Sequence, residues 1–135
     1  TLAGKAIALL GFAFKQDTGD TRDSPAIPLC EKLLGEHAKV RVHDPKALEN
    51  ARIDLKDMQG DVRFVEDVYE ALDGAHAIAL VTQWAEYREL DFERIYNKMV
   101  KPAFIFDGRN HLEHEKLFEI GFNVFPLGKP PLKHV

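Results

Sequence analysis

Lys15, Arg22 and Arg109 are the residues of this sequence best suited to grip an anion. Lys15 and Arg22 lie in "LLGFAFKQDTGDTRDSP" (9–25), and Arg109 ends "AFIFDGR" (103–109). Arginine offers a planar fork that takes phosphate oxygens in pairs, and lysine a compact point charge. The first stretch begins like the strand and glycine turn of a dinucleotide-binding fold and then departs from it. Of G-x-G-x-x-G only Gly11 is present, with Ala13 and Gln16 in the other two places. A pyrophosphate reaches the backbone amides only where glycines clear its way into a helix N-terminus. The Cβ of Ala13, and a capping Ser24 thirteen residues beyond Gly11, deny that approach. The expected ligand carries phosphate and is held by side chains.

Other reactive types read as structural. Asp17, Asp20 and Asp23 recur every third residue beside Gly and Thr, the composition of turns, and match no calcium loop. Asp44 ends the second strand, where a dinucleotide fold keeps its ribose-binding acid, but Pro45 follows and a turn role is favoured. Trp84 and Tyr87, three apart, suit packing of a helix on the sheet. His111 and His114 lack a third ligand for zinc. Cys30 falls on the apolar stripe of the first helix with no activating neighbour. No nucleophile triad or carboxylate pair is evident. By themselves the residues describe a phosphate-ligand domain without a catalytic group.

The elements that must carry these residues alternate in type. "KAIALLG" (5–11), "AKVRVHDP" (38–45), "VRFVED" (62–67), "AHAIALVT" (75–82), "AFIFDG" (103–108) and "FNVFPLG" (122–128) read as strands. Helices are expected after Ser24-Pro25, over 66–74, across 84–100 in one broken or two short pieces capped by Asp91, and over 113–121. Pro28 is expected to delay the first helix by two or three residues. Lys46 to Gly60 reads as a charged surface loop with a helical turn. This pattern predicts an α/β fold, a Rossmann-like open parallel sheet of about six strands in the order 3-2-1-4-5-6, with helices on both faces. Ligands of such sheets sit beyond the strand carboxyl ends where strand order reverses. That point gathers the loops after strand 1 (11–24), strand 4 (82–87) and strand 5 (107–111).

The bulk properties exclude several classes. A chain of 135 residues suits one domain, here 1–128 with a loose tail over 129–135. The net charge of −4 argues against nucleic acid as a partner. No apolar run reaches membrane-span length and no signal-peptide layout opens the chain, so no membrane partner and a cytoplasmic location are expected. One cysteine, Cys30, allows no internal disulfide. The abrupt start on a strand suggests a domain of a longer protein.

"GFAFKQDTGDTRDSPAI", "VHDP", "YEALDGAHAIALVTQWAEYRELD" and "KPAFIFDGRN" occur in this order between about Gly4 and Phe125. In these motifs the chain resembles the C-terminal UDP-sugar-binding domain of the UDP-glucose/GDP-mannose dehydrogenase family. The wording of the first motif is nearer the UDP-glucose branch. The resemblance implies a longer, homo-oligomeric enzyme that uses NAD to oxidise UDP-glucose twice, giving UDP-glucuronate. It implies that NAD is held mainly by a domain outside this chain, and that the nucleophilic cysteine also lies elsewhere. Phe14, Lys15 and Arg109 would contact the substrate, and Arg22 would reach the phosphates of NAD. Gln16 and Asn110 stand where the family often has further basic residues. A stand-alone nucleotide-sugar module, a dehydrogenase domain for another UDP-hexose and a purely structural domain remain open alternatives.

Overall fold

The computed structural model describes all 135 residues, Thr1–Val135. Strands β1 (Ala6–Leu10), β2 (Lys39–His43), β3 (Asp61–Phe64), β4 (Ala77–Leu80), β5 (Phe104–Asp107) and β6 (Asn123–Pro126) form one parallel sheet in the order β3-β2-β1-β4-β5-β6. The expected Rossmann-like order is therefore the observed one. All five residues of β1 are buried, as a central strand covered on both faces requires. Strand order reverses between β1 and β4, the point at the sheet's carboxyl edge where such folds form their ligand crevice.

Helix α1 (Ala26–Gly35) packs on β2, α2 (Leu48–Asp54) on β3, α3 (Val68–Leu72) on β1 and β2, and α5 (His114–Ile120) on β6. Helix α4 (Phe92–Lys98) lies between α3 and α5, capped by the Asp91 side chain as expected. On part of one face the sheet is open. Phe104, Phe106 and Phe125 stack there, and Phe106 stays 45% exposed beside a groove of about 1070 Å³ lined by Ile7, Leu29 and Leu33. No helix is long and apolar enough to cross a membrane.

Three local expectations change. Helix α1 begins at Ala26 despite Pro28, because Pro28 falls in the first turn, where a helix leaves its N–H groups unpaired anyway. Ser24 Oγ accepts the Ala26 N–H at 3.1 Å and donates to the Phe12 carbonyl at 2.6 Å. The segment 46–60 contains helix α2, with Ala47, Ala51 and Leu55 buried at a spacing of four that charged neighbours mask in the sequence. In the segment expected to be loose, Leu132 exchanges two backbone hydrogen bonds with Val124 and the His134 ring stacks on Phe118 at 4.0 Å.

Candidate functional site

At the carboxyl edge of β1 the chain turns at Gly11, with φ +94°. A Cβ there would fall 2.4 Å from Thr82 Cβ and 2.6 Å from Thr82 N. Gly11 thus serves the close approach of the β1 and β4 loops, a need separate from any pyrophosphate. Thr82 Oγ1 completes the junction by donating to the Ala13 carbonyl at 2.6 Å.

Asp44, at the end of β2, joins the same junction from the other side. Its Oδ2 accepts N–H groups of Phe12 at 2.7 Å, Ala13 at 2.9 Å and the Trp84 indole at 3.1 Å. Its Oδ1 accepts the Lys46 and Ala47 N–H groups, each at 2.8 Å, which starts the turn into α2. The turn role expected for Asp44 is real but is only half of what the carboxylate does. Beneath it, His43 Nδ1 lies 2.8 Å from Tyr87 Oη. Burial lowers the His43 pKa against the pull of Asp44, the Glu66 backbone and Asp67. Burial, with Asp44 and Glu86, raises that of Tyr87 well above its usual 10. Trp84 and Tyr87 are both buried and face this network.

The loop from Phe12 to Ser24 folds on itself and rests on α2. The Phe14 N–H donates to the Asp20 carbonyl at 3.0 Å. Asn50 Nδ2 donates to the Gly19 carbonyl at 2.6 Å, and Thr21 Oγ1 to Asp54 Oδ2 at 2.5 Å. Asp17 and Asp23 adopt φ of +67° and +58°, the left-handed turns that Asp tolerates. Phe14 is 37% exposed, with Lys15 Nζ 5.4 Å from its ring centroid. Arg22 is 87% exposed and chelated by Asp20 through Nε and Nη2, the shortest contact being 2.6 Å. The side-chain hydrogen bonds from Arg22 hold the Asp20 pKa down at about 2, helped by its backbone N–H and, more weakly, by the charges of Arg22 and Lys15.

Asp107 organises the β5 loop as Asp44 organises the β1 loop. It is buried and accepts the N–H groups of Arg109 at 3.1 Å, His111 at 2.8 Å and Leu112 at 2.9 Å, with His114 Nε2 also at 2.8 Å. Burial alone would raise its pKa. The hydrogen bonds from Leu112, His114, His111 and Arg109 outweigh that and hold it below 3.8. His111 Nε2 lies 2.8 Å from the Trp84 carbonyl, which ties the β5 loop to the β4 loop. Arg109 extends over the sheet edge with Nε 2.7 Å from Gln83 Oε1. Only β4 separates β1 from β5, so the Lys15 and Arg109 loops rise about 10 Å apart.

The structure therefore brings Phe14 and Lys15 together and gathers Lys15 with Arg22 on one loop. Arg109 stands two strands over on the β5 loop, ordered by Gln83 of the intervening β4 loop. Sequence reading did not single out Gln83, and treated Asp44 as a plain turn residue. The only signal for either was position at a strand's carboxyl end, next to Thr82 and Pro45. Cys30 is buried and free, its thiol pushed up to about 12 by burial, and takes no part in the site.

The family model of the UDP-glucose/GDP-mannose dehydrogenase family, UDP binding domain, matches residues 8–114. The chain belongs to this family. It is similar to UDP-glucose 6-dehydrogenase 5 of Oryza sativa subsp. japonica, at 46% identity over 96% of the chain and 31% of that protein. UDP-glucose 6-dehydrogenase 1 of Arabidopsis thaliana is 45% identical with the same coverage. The chain thus spans about a third of the length of the curated relatives it matches. Among solved structures, a UDP-glucose dehydrogenase of Pyrobaculum islandicum superposes with TM-score 0.70 at 32% identity, over 90% of this chain and 26% of that one. A UDP-D-ManNAc dehydrogenase of Pyrococcus horikoshii gives 0.74 at 29% identity, over 94% and 26%. The fold and the family motifs thus agree from β1 into α5.

Proposed function

We propose that this chain is the UDP-sugar-binding domain of an NAD-dependent UDP-glucose 6-dehydrogenase, which oxidises UDP-glucose to UDP-glucuronate in two hydride transfers. In this reading Phe14, Lys15 and Arg109 contact the nucleotide sugar. The observation that carries it is Arg109: a neutral Gln83 orients its Nε and leaves both terminal nitrogens and the full charge for an anion, two strands over from Lys15. The chain's own crevice does not fit NAD, because the glycine fingerprint is missing and both Asp44 oxygens are occupied by N–H groups. Arg22 is exposed on the rim, suited to meet NAD phosphates presented by polypeptide outside these 135 residues. Cys30, buried with a raised pKa, is unfit as a nucleophile, so the reacting thiol also belongs to that polypeptide. The open Phe104–Phe106–Phe125 face gives the added polypeptide an apolar surface to cover, and the assembled enzyme is taken as a cytoplasmic homo-oligomer.

Calorimetric titration of the chain with UDP-glucose, UDP and NAD tests the assignment. UDP and UDP-glucose are expected to bind more tightly than NAD, and the reverse order overturns it. The similarity to the UDP-D-ManNAc dehydrogenase favours one further reading, a domain for another UDP-hexose. A panel of nucleotide sugars offered to the full-length protein separates the two by kcat/KM.

A further inference from the structure

We propose that Asp44 is a positioning residue of the nucleotide-sugar site, fixing the loop that presents Phe14 and Lys15. The proposal rests on the reading of Lys15 given above. A dinucleotide fold points the acid at this position outward, to a ribose. Here the carboxylate is 3% exposed and turned inward, and its partners are the N–H groups of Phe12, Ala13, Lys46, Ala47 and the Trp84 indole. Every partner is a donor, which suits an ionised carboxylate that only accepts. The residues immediately after Phe12 and Ala13 are Phe14 and Lys15. Asp44 thus reaches the Lys15 loop directly, and reaches Arg109 through Trp84 and its neighbour Gln83.

The geometry separates Asp44 from an ordinary buried acid. Its Oδ2 is the shared point of two loops that approach from opposite sides of the crevice, far apart in sequence. Asparagine has one accepting oxygen and would turn an NH2 group toward N–H donors at one of the two positions. The loop would lose its fixed register while the sheet below stays intact. The effect should then appear as weaker anion binding that works through Lys15.

A double-mutant cycle on UDP affinity tests this, using calorimetry on the 135-residue chain, Asp44→Asn, Lys15→Ala and the double variant. Asp44→Asn is expected to weaken UDP binding by roughly tenfold, the worth of about one lost polar contact. The double variant should bind within about threefold of Lys15→Ala alone, because Lys15 carries the one charged contact of the positioned loop and Phe14 accounts for the remainder. UDP affinity unchanged by Asp44→Asn, or losses that simply multiply, overturns the proposal while leaving Lys15 as a ligand contact. No UDP binding by the unaltered chain overturns the reading of the site and this proposal with it. If circular dichroism shows Asp44→Asn unfolded, Trp84→Phe takes its place in the cycle, since it removes one donor from Oδ2 and keeps an apolar ring. A loss of affinity with Trp84→Phe that vanishes in the Lys15→Ala background supports the proposal, and no loss overturns it.

Discussion

Gln83 holds Arg109 through one hydrogen bond, 2.7 Å from Oε1 to Nε, and takes none of its charge away. Arg22 is held quite differently. The Asp20 carboxylate chelates it and neutralises it on the spot. The two arginines are therefore not equivalent as candidates for an anion. Arg109 is ordered and electrically available, while Arg22 must share its carboxylate partner with any phosphate it meets.

Arg109→Ala and Lys15→Ala should each weaken UDP-glucose binding by about 1.5–3 kcal/mol, the range for a hydrogen bond to a charged group. Isothermal titration of the chain reads this directly. Affinity within twofold of the unaltered chain for both variants would remove the two residues from the site.

Arg22→Ala should raise the KM for NAD in the full-length enzyme and leave that for UDP-glucose unchanged. Initial-rate kinetics with each substrate varied in turn distinguishes the two. A change confined to UDP-glucose would move Arg22 to the sugar-nucleotide side.

Gly11→Ala should destabilise the chain by about 3 kcal/mol, combining a strained positive φ with a Cβ that overlaps Thr82. Urea unfolding measures it. A loss below 1 kcal/mol would show that the β1 and β4 loops separate easily, contrary to the tight junction described here.

Asn50→Ala and Asp54→Ala should free the Gly19–Thr21 part of the loop with little effect on the sheet. Hydrogen exchange is the suitable readout, with faster exchange expected across 14–23 and unchanged protection in β1 and β4. Uniformly faster exchange would mean that α2 supports the whole fold rather than this loop.

Stability should fall on both sides of neutral pH. The folded pKa of His43 is lowered, so below about 6.5 the unfolded chain binds a proton that the folded chain refuses. Asp107 is also lowered and adds a second loss as pH falls below 3.8. Cys30 is raised from 9.0 to about 12, so its contribution is complete below 9 and fades between 9 and 12, with Tyr87 acting in the same direction. Urea midpoints measured from pH 3 to 11 test this. His43→Gln should flatten the limb below 6.5, and Cys30→Ala should shrink the alkaline limb.

The sheet and its order were legible in the sequence because buried parallel strands write continuous apolar runs, as "AIALL" and "AIAL" do. The placement of Lys15, Arg22 and Arg109 beyond the carboxyl ends of β1 and β5 was legible as well, since charge beside a strand's end is a local pattern. Helix α2 was legible only as a helical turn, because two of its three inward residues, Ala47 and Ala51, are small and charged neighbours mask the stripe they form with Leu55. The Phe12, Ala13 and Trp84 partners of Asp44 and the Gln83 partner of Arg109 were not legible. They come from loops 26 to 40 residues away, and no spacing rule links positions that meet only when strands β2, β1, β4 and β5 lie side by side.

By itself the sequence determined the layer architecture, the family motifs and which side chains could grip a phosphate, because these depend on residue type and near neighbours. Tertiary structure alone decided that Arg109 is ordered by a neutral partner, and that Asp44 faces inward. Those outcomes depend on which acceptors pack around a charged or donor group. Packing brings Gln83 to Arg109 and the Phe12, Ala13 and Trp84 N–H groups to Asp44 from separate parts of the chain.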